Sequence, residues 1–112
     1  MNVLVLETNL MWVSKLRLSL TGLGHTAVFQ RDVPSDLSGF DLAIVNLGEE
    51  PARLASVVQT LQGAGVPILA HAGHKEKELH ELGHSLGITA LATNSEMANS
   101  LERVLLSFSG PR

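Results

Sequence analysis

Short apolar runs alternate along this chain with longer stretches in which apolar residues recur every three or four positions. The runs fall in 2–7, 25–30, 40–46, 66–71 and 88–93 and predict five strands. The stretches between them predict helices. The first covers about 10–23, with Leu16, Leu20 and Leu23 on one face, extended by Trp12 or Val13, and with Asn9 as its cap. The next covers 51–62, with Pro51 at its first position and Leu54, Val57, Val58 and Leu61 inward. A third covers 75–86, with a narrow stripe of Leu79, Leu82 and Leu86. The last follows a cap at Ser95 and turns Met97, Leu101, Val104, Leu105 and Phe108 inward. Glycines at 22, 24, 63, 65 and 87 close these helices.

The third apolar run sits at the centre of this plan. Leu42, Ala43, Ile44 and Val45 are contiguous, as a strand covered on both faces requires. Asn46 ends it, followed by Leu47, Gly48 and two acids, Glu49 and Glu50. Between 31 and 39 the chain is polar and carries Pro34, so a full crossover helix does not fit. One helical turn near 35–37, or a loop, is expected. Strands alternating with helices imply right-handed parallel crossovers and a three-layer α/β/α sandwich. The order 2-1-3-4-5 follows as the arrangement for five such units, with ligands expected at the carboxyl edge of the sheet.

Composition narrows the chemistry. The 112 residues suit one domain, taken as 1–108 with a short tail at 109–112. A net charge of −3 without a run of like charges points away from nucleic acid and from anionic membranes. Cysteine is absent, which removes disulfides, thiolate metal sites and a cysteine nucleophile, and fits a cytoplasmic setting. The apolar start is too short for a membrane span and lacks the basic flank of a signal peptide.

Several segments together resemble the receiver domain of bacterial two-component response regulators. They are Val3-Leu4-Val5-Leu6-Glu7, the stretch from Leu20 to Val28, Phe40 to Leu47, Val66-Pro67-Ile68-Leu69, and Leu86-Gly87-Ile88-Thr89-Ala90-Leu91. The resemblance spans nearly the whole chain. It implies a flavodoxin-like sandwich with a reduced second helix, and a signalling role without enzymatic activity or cofactor. In that family two adjacent acids after the first strand hold Mg²⁺, and an aspartate ending the third strand takes the phosphoryl group. A hydroxyl after the fourth strand and a lysine after the fifth contact that group. The corresponding positions here are Glu7 and Thr8, Asn46, Ala72 and Asn94, with Ser95 in place of the usual proline and Leu91 in place of the switch aromatic.

Each departure removes a function. A neutral amide is a very poor nucleophile toward phosphorus. Mg²⁺ leans on carboxylates, and Glu7 is the one acid kept. Asn94 supplies no charge for a transferring phosphoryl group. The expectation is a pseudo-receiver, standing alone, that refuses phosphate and works by protein–protein contact. The resemblance places that contact, including homodimer pairing, on the helix 75–86, the fifth strand and the last helix, with Lys75, Glu78, Leu91, Glu102 and Arg103 as candidate residues. Met11, Trp12 and Leu18 are further candidates for exposed apolar surface.

A different class of function competes. His71, His74, His80 and His84 lie close in sequence, and His80 and His84 share a helix face near Glu76 and Glu81. Such a pair can bind zinc or a similar ion, with His80, His84 and Glu76 as the candidate ligands. A solvated helix face is the plainer reading, and His71, near the end of a buried strand, reads as a hydrogen-bonded core or edge histidine. The rim residues Glu7, Thr8, Asn9, Asn46 and Asn94 could instead hold a small molecule. No glycine-rich phosphate loop and no nucleophile elbow is present.

Overall fold

The computed structural model describes residues 1–48, 51–73 and 75–109. Five strands, β1 (Asn2–Leu6), β2 (Thr26–Gln30), β3 (Leu42–Asn46), β4 (Ile68–Ala72) and β5 (Ala90–Thr93), form one parallel sheet in the order β2-β1-β3-β4-β5. The helices are α1 (Leu10–Gly22), α2 (Pro51–Gly63), α3 (Lys77–Ser85), α4 (Asn94–Asn99) and α5 (Leu101–Ser109).

Side-chain alternation along the strands divides the core into two layers. Val3, Val5, Ile44, Leu69 and Ala92 face α1, α4 and α5, where Trp12, Leu16, Leu20, Met97, Leu101 and Leu105 are buried against them. Leu4, Leu6, Ala43, Val45, Ile68 and Ala70 face α2 and α3. β3 is buried from Leu42 to Val45 on both faces, as its unbroken apolar run requires.

Between β2 and β3 the chain forms no helix. It crosses the α2 side as a loop, and Val33, Leu37 and Phe40 pack partly against the core there. In consequence β2 is covered on one face only. Ala27 and Phe29 are half-buried beneath α1, while Thr26, Val28 and Gln30 are exposed.

Two expectations are corrected. Trp12 is buried, at 7% exposure, because it lies one turn before Leu16 and two before Leu20 on the inward stripe of α1; Leu10, Met11 and Leu18 are the exposed apolar residues of that helix. The last helix is two helices, broken at Ser100, and it begins two residues earlier than Ser95 suggests. Its cap is Thr93. The Thr93 hydroxyl accepts from Glu96 N at 3.1 Å and Glu96 Oε1 accepts from Thr93 N at 3.0 Å, a reciprocal capping box. Thr93→Ala should therefore cost about 1 kcal/mol in urea denaturation. The backbone bond from Thr93 holds the Glu96 carboxyl below its usual range, with Arg103 adding to the effect. A carboxylate so lowered contributes stability above its unfolded-state value and loses it as pH falls. The stability lost in Glu96→Ala should accordingly shrink in acid, whereas Thr93→Ala keeps the backbone donor to that carboxylate.

Candidate functional site

The carboxyl edge of the sheet gathers Glu7, Asn46, His71 and Asn94 into one polar chain. The parallel register brings Asn46 level with His71 and places Glu7 directly after β1. Glu7 is buried, which a carboxylate tolerates only with donors around it. It accepts from the Asn9 backbone N–H at 3.3 Å and from Asn46 Nδ2 at 3.1 Å. The other end of the Asn46 amide accepts from Gly48 N at 3.0 Å. Both polar atoms of Asn46 are thus engaged.

His71 continues the chain. It is fully buried, and its Nε2 stands 3.9 Å from Glu7 Oε1. Its Nδ1 is 2.7 Å from Asn94 Oδ1. An amide oxygen only accepts, so the imidazole carries its proton on Nδ1. The Trp12 ring packs on His71 with centroids 4.9 Å apart and planes inclined by 60°. Asn94 reaches this position because the capping box fixes the turn from β5 into α4 directly beside it. Asn94→Leu would leave the Nδ1 proton buried without an acceptor, and should cost about 1–3 kcal/mol by chemical denaturation.

The residues expected at the rim divide into two sets. Asn46 bonds Glu7 directly, and His71 stands between Glu7 and Asn94. Thr8 is exposed, and Ala72, 1% exposed, ends β4 within the α2-side core. Beside Asn46, on the side away from His71, a cavity of about 40 Å³ opens between the sheet edge and α2, lined by Thr8, Asn46, Arg31 and Arg53 over an apolar floor that includes Val45 and Leu54. Arg53 also makes an ion pair with Asp32.

The histidine cluster does not assemble. His74 lies outside the described residues, and among those described no group of three or more histidine, aspartate or glutamate side chains converges on a point that could hold a metal ion. His80 turns its Nε2 to the Gly73 carbonyl at 3.2 Å, His84 is exposed, and Glu76 precedes α3. His71 points into the core on the far side of the sheet from α3.

Of the candidate contact residues, Lys75, Glu78, Glu102 and Arg103 are exposed, and Arg103 reaches Glu96 at 3.4 Å. Leu91 is half-buried under α3. A Cβ at Gly83 would lie 2.7 Å from Leu91 Cδ2, so the absent side chain at 83 is what lets the helix sit this close. Sequence reasoning left Trp12 between the inward face of α1 and exposed surface, and its four-residue spacing from Leu16 was the signal that decides for the inward face. It also missed Arg31 and Arg53, which only the topology brings together.

No protein-family model matches the sequence, and neither does any of the curated proteins. Solved structures do match. A response regulator receiver protein from Burkholderia phymatum superposes with a TM-score of 0.79 at 17% identity, over 99% of this chain and 96% of that one. The chemotaxis response regulator CheY4 of Vibrio cholerae gives 0.78 at 16% identity, over 96% and 97%. A protein described as belonging to a family of redox sensors in the streptococci, evolved from two-component response regulators, gives 0.78 at 14% identity, over 97% of this chain and 51% of that one. The strand order fits, and the first two superpositions cover nearly all of both chains: this chain has the fold of the response-regulator receiver domains.

Proposed function

We propose that this protein is a receiver-like signalling component that does not accept phosphate and acts by contact with another protein. The observation that carries the reading is the bond from Asn46 Nδ2 to Glu7 Oε1. The position from which a carboxylate would attack phosphorus holds an amide, and that amide occupies the acid that would hold Mg²⁺. The rest of the rim fits this reading: Asn94 is turned to His71, and Ala72 offers no hydroxyl. Incubation with acetyl phosphate and Mg²⁺ should leave the intact mass unchanged. A phosphoryl increment that disappears in Asn46→Ala would defeat the proposal. The contact surface we propose is the exposed face of α3, α4 and α5 with Lys75, Glu78, Glu102 and Arg103, whose mixed charges would set partner and register more than affinity. Homodimer pairing belongs to this proposal. Sedimentation velocity should show a dimer that Arg103→Glu dissociates; a monomer throughout leaves the face to a different protein.

One observation favours a second reading, a small-molecule sensor: the cavity beside Asn46 stands at the point where the strand order reverses between β1 and β3, where open α/β sheets bind ligands. The streptococcal neighbour, described as a redox sensor evolved from response regulators, supports the idea that the fold can be turned to sensing.

A further inference from the structure

We infer that the free edge of β2 is a self-pairing surface, where a second copy of this chain docks strand to strand about a two-fold axis through Val28. This surface lies apart from the proposed contact on α3, α4 and α5 and does not depend on it.

The edge is defined by the alternation of backbone hydrogen bonds. β2 stands at one end of the strand order, so β1 is its one neighbour. Thr26 N donates to Met1 O at 3.0 Å, and the register with β1 runs without a bulge from Thr26 to Gln30. In a parallel ladder a residue turns its N–H and its C=O to the same side, and successive residues turn to opposite sides. Thr26, Val28 and Gln30 therefore bond β1, and the backbone groups of Ala27 and Phe29 face outward. Among the described residues no backbone group outside the sheet bonds them.

Sheet edges are ordinarily blunted by a lysine, a proline, a bulge or a covering helix. β2 has none of these. Its sequence is Thr-Ala-Val-Phe-Gln, and the chain that follows it crosses as a loop instead of a helix. That crossing leaves Thr26, Val28 and Gln30 exposed, with Val28 at 36%.

Symmetry and charge name the occupant. An antiparallel copy centred on Val28 sets Ala27 of each chain opposite Phe29 of the other. These become hydrogen-bonded pairs, and every outward backbone group of Ala27 and Phe29 finds a partner. An axis through Ala27 or Phe29 would leave part of the set unmatched. On the exposed face Val28 meets its own mate at the closer, non-hydrogen-bonded spacing, with Thr26 opposite Gln30 on either side. A two-fold axis sets a strand against itself, so like charges near the centre would repel. Residues 26–30 carry none. On the other face Arg17 is held over the Phe29 ring, 4.9 Å from its centroid and off the axis.

The test is sedimentation velocity of the full chain over a concentration series. It should show an association that Val28→Lys weakens about tenfold or more, because that change sets two ammonium groups opposite each other. Val28→Thr, uncharged and β-branched, should retain the association, and Arg103→Glu should leave this pairing in place. Amide hydrogen exchange supplies a readout specific to strand pairing. Exchange at Ala27 and Phe29 should slow as concentration rises, while Val28 and Gln30, already bonded to β1, should not change. A monomer at every concentration, or exchange at Ala27 and Phe29 that ignores concentration, would overturn the inference. An association that Arg103→Glu abolishes and Val28→Lys leaves intact would also overturn it while the α3–α5 contact stood, so the two proposals fail separately.

Discussion

His71→Ala should lose about 3–5 kcal/mol of stability, in the range of other large-to-small changes of buried rings. The imidazole is fully buried and fills the space between Trp12, Glu7 and Asn94. Removing it deletes the packing under the indole and takes the donor from the Asn94 oxygen. Against a total of about 5–15 kcal/mol for a domain of this kind, that loss brings the fold close to its limit. His71→Leu keeps most of the volume and gives up only the polar contacts, so it should cost less than the alanine change. Urea denaturation measures both, and the midpoint should move while the slope stays constant. A shift for His71→Ala below about 1 kcal/mol, the range of ordinary surface changes, would show that the histidine is not the packed centre of the rim.

Asn46→Asp has an expected effect on the order of 2 kcal/mol at neutral pH, in the unfavourable direction, and it does not create a phosphoacceptor. The new carboxyl replaces the donor that Glu7 now receives at 3.1 Å, setting two acids against each other at a partly buried site. Two carboxylates this close do not both ionise freely, so the native state holds only while one keeps a proton. The deficit relative to the unaltered protein should vanish in acid and return as pH rises, opposite in sign to the Glu96 contribution. Phosphorylation should still fail, because Asn94 lacks the cationic charge and Ala72 the hydroxyl that would receive the phosphoryl group. Parallel pH-dependent melts of the two proteins measure the difference. Equal stability at neutral pH would mean that the Glu7–Asn46 bond does not organise the rim.

The fold was legible because it depends on periodicity. Contiguous apolar runs marked every strand, and the three- to four-residue recurrence marked α1, α2 and α3 to within two residues at either end. What the pattern could not show was the break at Ser100. Met97, Leu101 and Leu105 keep helical spacing straight through it, so one helix and two read alike. The cap was misplaced for a related reason. Thr93 and Ser95 are both good capping residues, and only the Glu96 that answers Thr93 across three positions separates them.

The site was legible by halves. Glu7, Asn46 and Asn94 were marked by position at strand ends, and His71 by its place in a buried strand. That these four form one chain follows from register, which a single sequence does not display. Arg31 and Arg53 carry no local signal at all, and their meeting is a property of the sheet order. The histidines at 80 and 84 show the converse. A spacing suited to a metal is satisfied here by an ordinary backbone carbonyl for one and by solvent for the other.

The tilted contact of Trp12 with His71 gives the molecule an internal optical probe. The sequence contains one tryptophan and no tyrosine, so ultraviolet emission excited at the indole band comes from a single ring lying 4.9 Å from the imidazole. A rearrangement that reaches His71 will register as a change in colour or brightness without any label, and docking confined to the outer surfaces of α3 and α5 will leave the signal dark to it.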